Sequence, residues 1–131
     1  MVLVVDDDAE IRQALVDILE DEDYTVMAAA NGKEALEVVA RGPCPDVILL
    51  DVMMPVMDGW HFLSARLAHP RLVEVPIIIM SAGIEAEREA RNAGVSEVAL
   101  KPLHVDDLIR RIEACRRKTG DTPREISAGL T

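Results

Sequence analysis

A run of four apolar residues, Val47–Leu50, ends abruptly on Asp51, and Pro55, Asp58 and Gly59 follow within the next eight positions. Such a run is too short for a helix and is typical of a strand buried on both faces of a parallel sheet. An acid at the last position of this strand would lie at the carboxyl edge of the sheet. In open α/β sheets, ligands bind at that edge. We therefore predict that Asp51 is the reacting group of the molecule.

Four other short apolar runs alternate with helical patterns along the chain. The predicted strands are Val2–Val5, Tyr24–Ala28, Val47–Leu50, Val75–Met80 and Glu97–Leu100, and the predicted helices are 9–22, 32–41, 60–67, 85–93 and 105–118. This alternation predicts an α/β fold, a (βα)5 doubly wound, five-stranded parallel sheet with helices on both faces. We expect the flavodoxin-like strand order 2-1-3-4-5, which places strands one and three side by side where the order reverses.

Composition and charge exclude several classes of protein. At 131 residues the chain is long enough for one domain with an ordinary core. The net charge of −10 argues against direct contact with nucleic acid, which needs a basic surface. No apolar run reaches membrane-spanning length, and the N-terminal segment lacks the pattern of a signal peptide, so we expect a cytoplasmic protein. Cys44 and Cys115 show no metal-binding or redox spacing and are interpreted as reduced thiols.

Polar side chains follow four of the predicted strands. They are Asp6 and Asp7 after the first strand, Asp51 at the end of the third, Ser81 after the fourth and Lys101 after the fifth. Three carboxylates in one crevice repel each other unless a cation neutralises them, and Mg²⁺ suits a site with one or two carboxylates, a carbonyl and several waters. A lysine and a hydroxyl opposite an acceptor carboxylate would stabilise the charge that develops in phosphoryl transfer. The pattern therefore predicts a magnesium-dependent phosphoryl site.

Simpler interpretations exist for several of these residues. Asp8 has the position of an N-cap for the helix that follows, and we interpret it that way. Asp6 and Asp7 could belong to the same solvated cap, but their match with Asp51 favours a cation site. Ser81 and Lys101 alone would be an ordinary turn residue and a surface charge, so their interpretation depends on the other strand ends.

The segments VVDD, VILLDVMMPVMDG, IIIMSA and ALKP occur in this order along the chain. Together they resemble the receiver domain of bacterial response regulators, whose fold is that of the chemotaxis response regulator. The resemblance covers residues 1–118, and it is specific because five separated polar residues match at strand ends. Residues 119–131 are small and polar, and we interpret them as a tail or the start of a linker.

The resemblance implies a role for each matching residue. Asp51 would accept a phosphoryl group from a histidine kinase or a phosphotransfer protein, as part of a two-component system or phosphorelay. Ser81 and Lys101 would contact the phosphoryl oxygens, and the Lys101–Pro102 peptide bond would be cis. The Mg²⁺ site would consist of Asp7 as a direct ligand, Asp6 mainly through a coordinated water, Asp51, and the backbone carbonyl of Met53.

The resemblance also implies a signalling protein and not a turnover enzyme. An output partner would recognise the surface of helix four, strand five and helix five, and the protein would be a monomer or a phosphorylation-dependent dimer. The family often has an aromatic residue three positions before the lysine, where this chain has Val98, and commonly has Phe where this chain has Leu103. Both departures concern the output of the signal and not phosphoryl acceptance.

Three other functions are compatible with an α/β fold of this size. A flavodoxin-type cofactor module needs a phosphate-binding loop after strand one, where this chain has DDDAE. An aspartyl-phosphate phosphatase of the dehalogenase type needs a second acid two residues after its nucleophile, where this chain has Met53. A receiver-like scaffold that binds partners without phosphorylation is the remaining alternative, and the complete set of polar strand ends argues against it.

Overall fold

The computed structural model describes residues 1–52, 59–81, 83, 86–95 and 97–116. Within these residues, five strands form one parallel sheet in the order β2-β1-β3-β4-β5. The strands are β1 (Val2–Val5), β2 (Val26–Ala29), β3 (Val47–Asp51), β4 (Ile77–Ser81) and β5 (Glu97–Leu100). The helices are α1 (Ala9–Asp21), α2 (Gly32–Arg41), α3 (Gly59–Ala65), α4 (Ala86–Asn92) and α5 (Val105–Arg116). The predicted fold class and strand order are confirmed.

The sheet is buried on both faces because its central strands are apolar at every position. All residues of β1, β3 and β4 are buried, as expected for parallel strands covered by helices on either side. One face packs against α2, α3 and α4 through residues such as Val39, Phe62 and Ala90. The other face packs against α1 and α5 through residues such as Leu19 and Ile112. This layering holds the strand ends rigidly at one edge.

Some boundaries differ from the sequence prediction. β2 begins at Val26 and not at Tyr24, and its partly exposed side chains fit its position at the sheet edge. The predicted third helix narrows to a 3-10 turn at Arg66–Ala68. β4 begins at Ile77, because Pro76 has no N–H and contributes only its carbonyl, which accepts a hydrogen bond from Ile48. The predicted polar tail at 119–131 lies outside the described residues.

Capping groups fix where two of the helices begin. Asp8 accepts hydrogen bonds from the backbone N–H groups of Glu10 and Ile11, which confirms it as the N-cap of α1. Asn31 is the N-cap of α2, and its side-chain oxygen accepts a hydrogen bond from the backbone N–H of Glu34. The side chain of Glu34 accepts a hydrogen bond from the backbone N–H of Ala30 in return. No helix within the described residues is long and apolar enough to cross a membrane.

Candidate functional site

The carboxyl ends of β1, β3, β4 and β5 meet at one edge of the sheet. The register places Val5 opposite Leu50 and Ser81 opposite Leu100, so the next residues along these strands are neighbours too. An open crevice of about 350 Å³ at this edge is lined by Asp6, Asp7, Asp8, Ile11, Asp51, Ser81 and Lys101. The structure thus brings together five of the six residues that the sequence predicts for the site. Met53, the sixth, lies outside the described residues.

Three carboxylates form the acidic side of the crevice. Asp6, Asp7 and Asp51 each have an oxygen within 4.8 Å of the others. Asp6 is fully buried and Asp51 is 5% exposed, whereas Asp7 is exposed. Two ligands of one Mg²⁺ ion lie at most about 4.2 Å apart, since each is about 2.1 Å from the metal. The cluster is therefore close to the dimensions of such a site.

The carboxylate of Asp6 shows that the crevice suits a cation. Its Oδ1 accepts a hydrogen bond of 2.9 Å from the N–H of Asp8. Its Oδ2 is buried and has no hydrogen-bond partner among the described residues. A buried acceptor without a donor carries a large desolvation cost, which a cation at the same place would offset. The residues present therefore fit a magnesium ion.

Arg12 supports Asp6 from the first turn of α1. Its Nη1 donates a hydrogen bond of 2.8 Å to the backbone carbonyl of Asp6. This contact fixes the main chain at the end of β1, and so fixes the direction of the Asp6 side chain. This role of Arg12 was not predictable, because an arginine on the polar side of an amphipathic helix gives no signal of such a contact.

Lys101 provides the positive side of the crevice. Its Nζ lies 3.8 Å from Oδ2 of Asp51, and the lysine side chain is 27% exposed. The backbone N–H of Lys101 donates a hydrogen bond of 2.7 Å to the carbonyl of Ser81. The peptide bond between Lys101 and Pro102 is cis, as the resemblance implied. The lysine is thus attached firmly at its backbone, while its ammonium group faces the acidic cluster.

The hydroxyl of Ser81 lies at the end of β4. Ser81 is only 9% exposed, and its Oγ accepts a hydrogen bond of 3.1 Å from the N–H of Gly83. The hydroxyl also donates a longer hydrogen bond of 3.5 Å to the carbonyl of Gly83. A hydroxyl proton is free to rotate about the C–O bond, so this group can donate to an anion that enters the crevice.

Gly59 positions Asp51 from the first residue of α3. Its N–H donates a hydrogen bond of 3.0 Å to the carbonyl of Val52. A Cβ at this position would lie 2.5 Å from Cα of Val52 and 2.9 Å from the carbonyl oxygen of Asp51. Only glycine lets the two stretches of backbone approach so closely. In the sequence, the pair Asp58-Gly59 indicates only a turn and does not reveal this role.

The site has a defined chemical capacity. Asp51 faces a lysine on one side and two further acids on the other. This carboxylate can react with an anionic group, provided that a cation offsets the charge of the two acids. The ammonium group of Lys101 and the hydroxyl of Ser81 can both donate to oxygens of an incoming anion. The arrangement suits the transfer of an anionic group to Asp51.

Comparison with known proteins gives one consistent result. Residues 2–113 match a family model described as the response regulator receiver domain. The response regulator MprA of Mycobacterium leprae is 36% identical over 120 residues, which are 90% of this chain and 51% of that protein. The transcriptional regulatory protein PrrA of Mycobacterium tuberculosis is 33% identical in an alignment of 132 positions that covers 99% of this chain and 55% of the relative. The chain spans about half the length of the curated relatives it matches.

Solved structures agree with this match. The chemotaxis response regulator CheY4 of Vibrio cholerae has a TM-score of 0.80 and 33% identity, with 87% of this chain and 96% of that chain covered. The signal receiver domain of a signal transduction histidine kinase from Syntrophus aciditrophicus has a TM-score of 0.81 and 25% identity, with 91% of each chain covered. The similarity therefore extends over nearly all of the sheet and its helices.

Proposed function

The chain belongs to the family of response regulator receiver domains, and we propose that Asp51 is its phosphoacceptor. One observation carries the proposal: the buried Asp51 carboxylate lies between Lys101, at 3.8 Å, and the carboxylates of Asp6 and Asp7. This is the arrangement of charges that phosphoryl transfer to a carboxylate requires. The domain proper would comprise residues 1–118.

The reaction is a displacement at phosphorus. An oxygen of the Asp51 carboxylate forms the new bond to phosphorus, and the bond from phosphorus to the donor breaks, with its electron pair leaving on the donor. Lys101 would donate to one phosphoryl oxygen and Ser81 to another. The 3.8 Å between Lys101 Nζ and Asp51 Oδ2 exceeds a normal hydrogen bond, so a small rotation of the lysine would bring it onto the transferred group.

Magnesium would be held by Asp7 and Asp51, by Asp6 through water, and by the backbone carbonyl of Met53. When bound, the ion would neutralise the acidic cluster and the oxygens of the incoming phosphoryl group. The carboxylates would orient the ion, and the buried Oδ2 of Asp6 would face its hydration shell. Arg12 would hold the backbone of Asp6 in place while the ion binds and leaves.

The signalling role follows from the family. Receiver domains act with histidine kinases and output domains. We place this chain in the cytoplasm and propose that it takes its phosphoryl group from a histidine kinase or a phosphotransfer protein, without turnover of its own. The output surface would lie on α4, β5 and α5, where Arg88, Arg91 and Arg110 are exposed. Val98 belongs to β5 but is not part of this exposed surface, because its side chain is buried in the core.

The direct test is phosphorylation of the purified chain by acetyl phosphate. We expect one phosphoryl group per molecule by intact mass, formed with Mg²⁺ and not with excess EDTA, because the uncompensated carboxylates repel the donor. Borohydride reduces an aspartyl phosphate to homoserine, so peptide mapping should show homoserine at position 51. A protein that stays unmodified with Mg²⁺, or carries homoserine elsewhere, would favour the scaffold alternative or another acceptor.

Magnesium is also expected to stabilise the folded chain. Since the ion binds the assembled site, a concentration about tenfold above its dissociation constant should raise the free energy of unfolding by about 1.4 kcal/mol. For a domain of this size that corresponds to an increase in Tm of roughly 5 °C. Asp6→Asn should lose most of this increase, as measured by thermal denaturation with and without Mg²⁺.

Asp8→Ala is the matched control for the magnesium experiment. It removes a neighbouring carboxylate that caps α1, so it should lower stability by about 1 kcal/mol and leave the magnesium-dependent rise in Tm intact. An equal rise in the wild type and in Asp6→Asn would contradict the assignment of Asp6 to the ion.

A further inference from the structure

A second cavity, separate from the phosphoryl site, lies at the opposite edge of the sheet. It has a volume of about 230 Å³ and includes Pro76 and Ile77 at the start of β4 and Glu97 at the start of β5. The phosphoryl site lies at the other ends of the same strands, about 13 Å away along β4. The two sites therefore share strands but no residues.

Arg66 lines this cavity as a buried cation. The residue follows Phe62 and Leu63 at helical spacing, at the start of the 3-10 turn after α3, and it is only 6% exposed. An apolar side chain is the ordinary occupant of such a position, because burial of a charge is costly. An arginine here needs compensation that a core alone does not provide.

The described contacts of Arg66 compensate its charge only in part. Nη1 donates a hydrogen bond of 3.1 Å to the backbone carbonyl of Val73. Nε is buried and has no hydrogen-bond partner among the described residues, and no described carboxylate forms an ion pair with this guanidinium. Burial accordingly lowers the pKa of Arg66 from its ordinary value. Nε and Nη2 form the edge of a guanidinium that binds a carboxylate through two parallel hydrogen bonds.

The two acids at the cavity do not provide this carboxylate. Glu97 is already paired with Arg111 at 3.0 Å across to α5. Glu74 is exposed to solvent, and an exposed charge is screened by water and salt. The remaining walls include the apolar side chains of Val75 and Val95 and the thiol of Cys115.

We propose that this cavity binds a small organic carboxylate with a short apolar chain. The carboxylate would pair with the guanidinium of Arg66, and the chain would lie against Val75, Ile77 and Val95. The cavity is smaller than the roughly 300–1,000 Å³ of pockets for drug-sized ligands, so the ligand has only a few heavy atoms. This site is independent of phosphorylation at Asp51.

The test is a titration of the ¹⁵N-labelled full chain with butyrate, followed by NMR at the Nε–Hε resonance of Arg66. We expect a saturable shift with a Kd on the order of 1–10 mM at constant ionic strength. Acetate, which lacks most of the apolar chain, should bind at least about threefold more weakly. Butylamine, which lacks the carboxylate, should leave the Arg66 resonance in place.

Substitutions distinguish binding at Arg66 from general binding of anions to the protein surface. Arg66→Met should abolish saturable binding, as read from the backbone amides of Val75 and Val95, whereas Arg41→Met removes an exposed arginine and should leave the Kd unchanged. If Arg66→Met does not fold, Arg66→Lys keeps the charge, loses the two-point geometry and should bind butyrate at least about tenfold more weakly.

Three outcomes would overturn the proposal. The first is an Arg66 resonance that does not move with butyrate. The second is an equal response to sulfate or chloride, which would mean an adventitious ion only. The third is a shift of similar size caused by Glu74→Gln without ligand, which would mean that Glu74 already fills the place of the carboxylate.

Discussion

Asp51→Asn is expected to take up no phosphoryl group from acetyl phosphate under conditions that load the wild-type chain to one per molecule. The amide of asparagine is a poor nucleophile and cannot form a stable acyl phosphate, although it has nearly the shape of the carboxylate. The change removes one of three clustered negative charges, so the variant should be at least as stable as the wild type. Loss of phosphorylation would then reflect lost chemistry and not lost structure.

Intact mass spectrometry with acetyl phosphate and Mg²⁺ measures this effect, and urea denaturation of both proteins checks the fold. Asp21→Asn is the matched control, since it changes an exposed aspartate at the end of α1 and should load fully. A phosphoryl adduct that persists in Asp51→Asn at the wild-type level would refute the assignment of Asp51.

Gly59→Ala is expected to lower the free energy of unfolding by about 3 kcal/mol, a large share of the stability of a domain. The added Cβ would lie 2.5 Å from Cα of Val52 and 2.9 Å from the carbonyl oxygen of Asp51. Both atoms belong to backbone, so no change of rotamer relieves the contact. The end of β3 or the start of α3 must move, and Asp51 moves with it.

Urea denaturation measures the loss of stability, and the rate of phosphorylation by acetyl phosphate should fall in the same variant. Gly83→Ala is the control at the same edge, because its nearest atom to an added Cβ is Ser81 Oγ at 3.9 Å. That variant should stay within about 0.5 kcal/mol of the wild type. Equal effects of the two substitutions would show that the close approach at Gly59 does not matter.

The fold was predictable because a parallel sheet covered on both faces requires continuous apolar strands. Val47–Leu50 and Val2–Val5 are such strands, and both are fully buried. The alternation of strands with helices then limits the arrangement to few possibilities. The register of β1 against β3 brings Asp6 beside Asp51, so the acidic cluster follows from the strand order and the residue types alone.

Roles that depend on contacts between residues distant in the sequence, or on burial, were not predictable in this way. Gly59, Arg12 and Arg66 gave no signal beyond a turn, a polar helix face and a charge near a helix end. Their roles depend on separations in space: a Cβ on residue 59 would lie 2.5 Å from the neighbouring backbone, Arg12 donates a hydrogen bond to Asp6, and Arg66 is buried beside a cavity. Residue type and spacing in a sequence do not encode such separations.

Val98 illustrates what a residue-by-residue comparison with the family predicts and what it leaves to the structure. The sequence indicated that this chain lacks the aromatic residue that the family often has at this position. The structure adds that Val98 is 9% exposed and packs in the same cluster as Ala90 and Val95. A short β-branched side chain in a packed core has few rotamers available. Val98 therefore has little freedom to change its rotamer within this core.

The order of the strands along the chain has a consequence for its synthesis. β1 and β3 are made early and already carry all three acids, whereas Lys101 follows β5, the last strand. At about 5–20 residues per second, the ribosome adds Lys101 about 3–10 s after Asp51. During that interval, unless a cation is bound, the repulsion between the acids opposes the pairing of β1 with β3. We therefore expect the emerging chain to complete its sheet late, when the lysine is available to balance the charge.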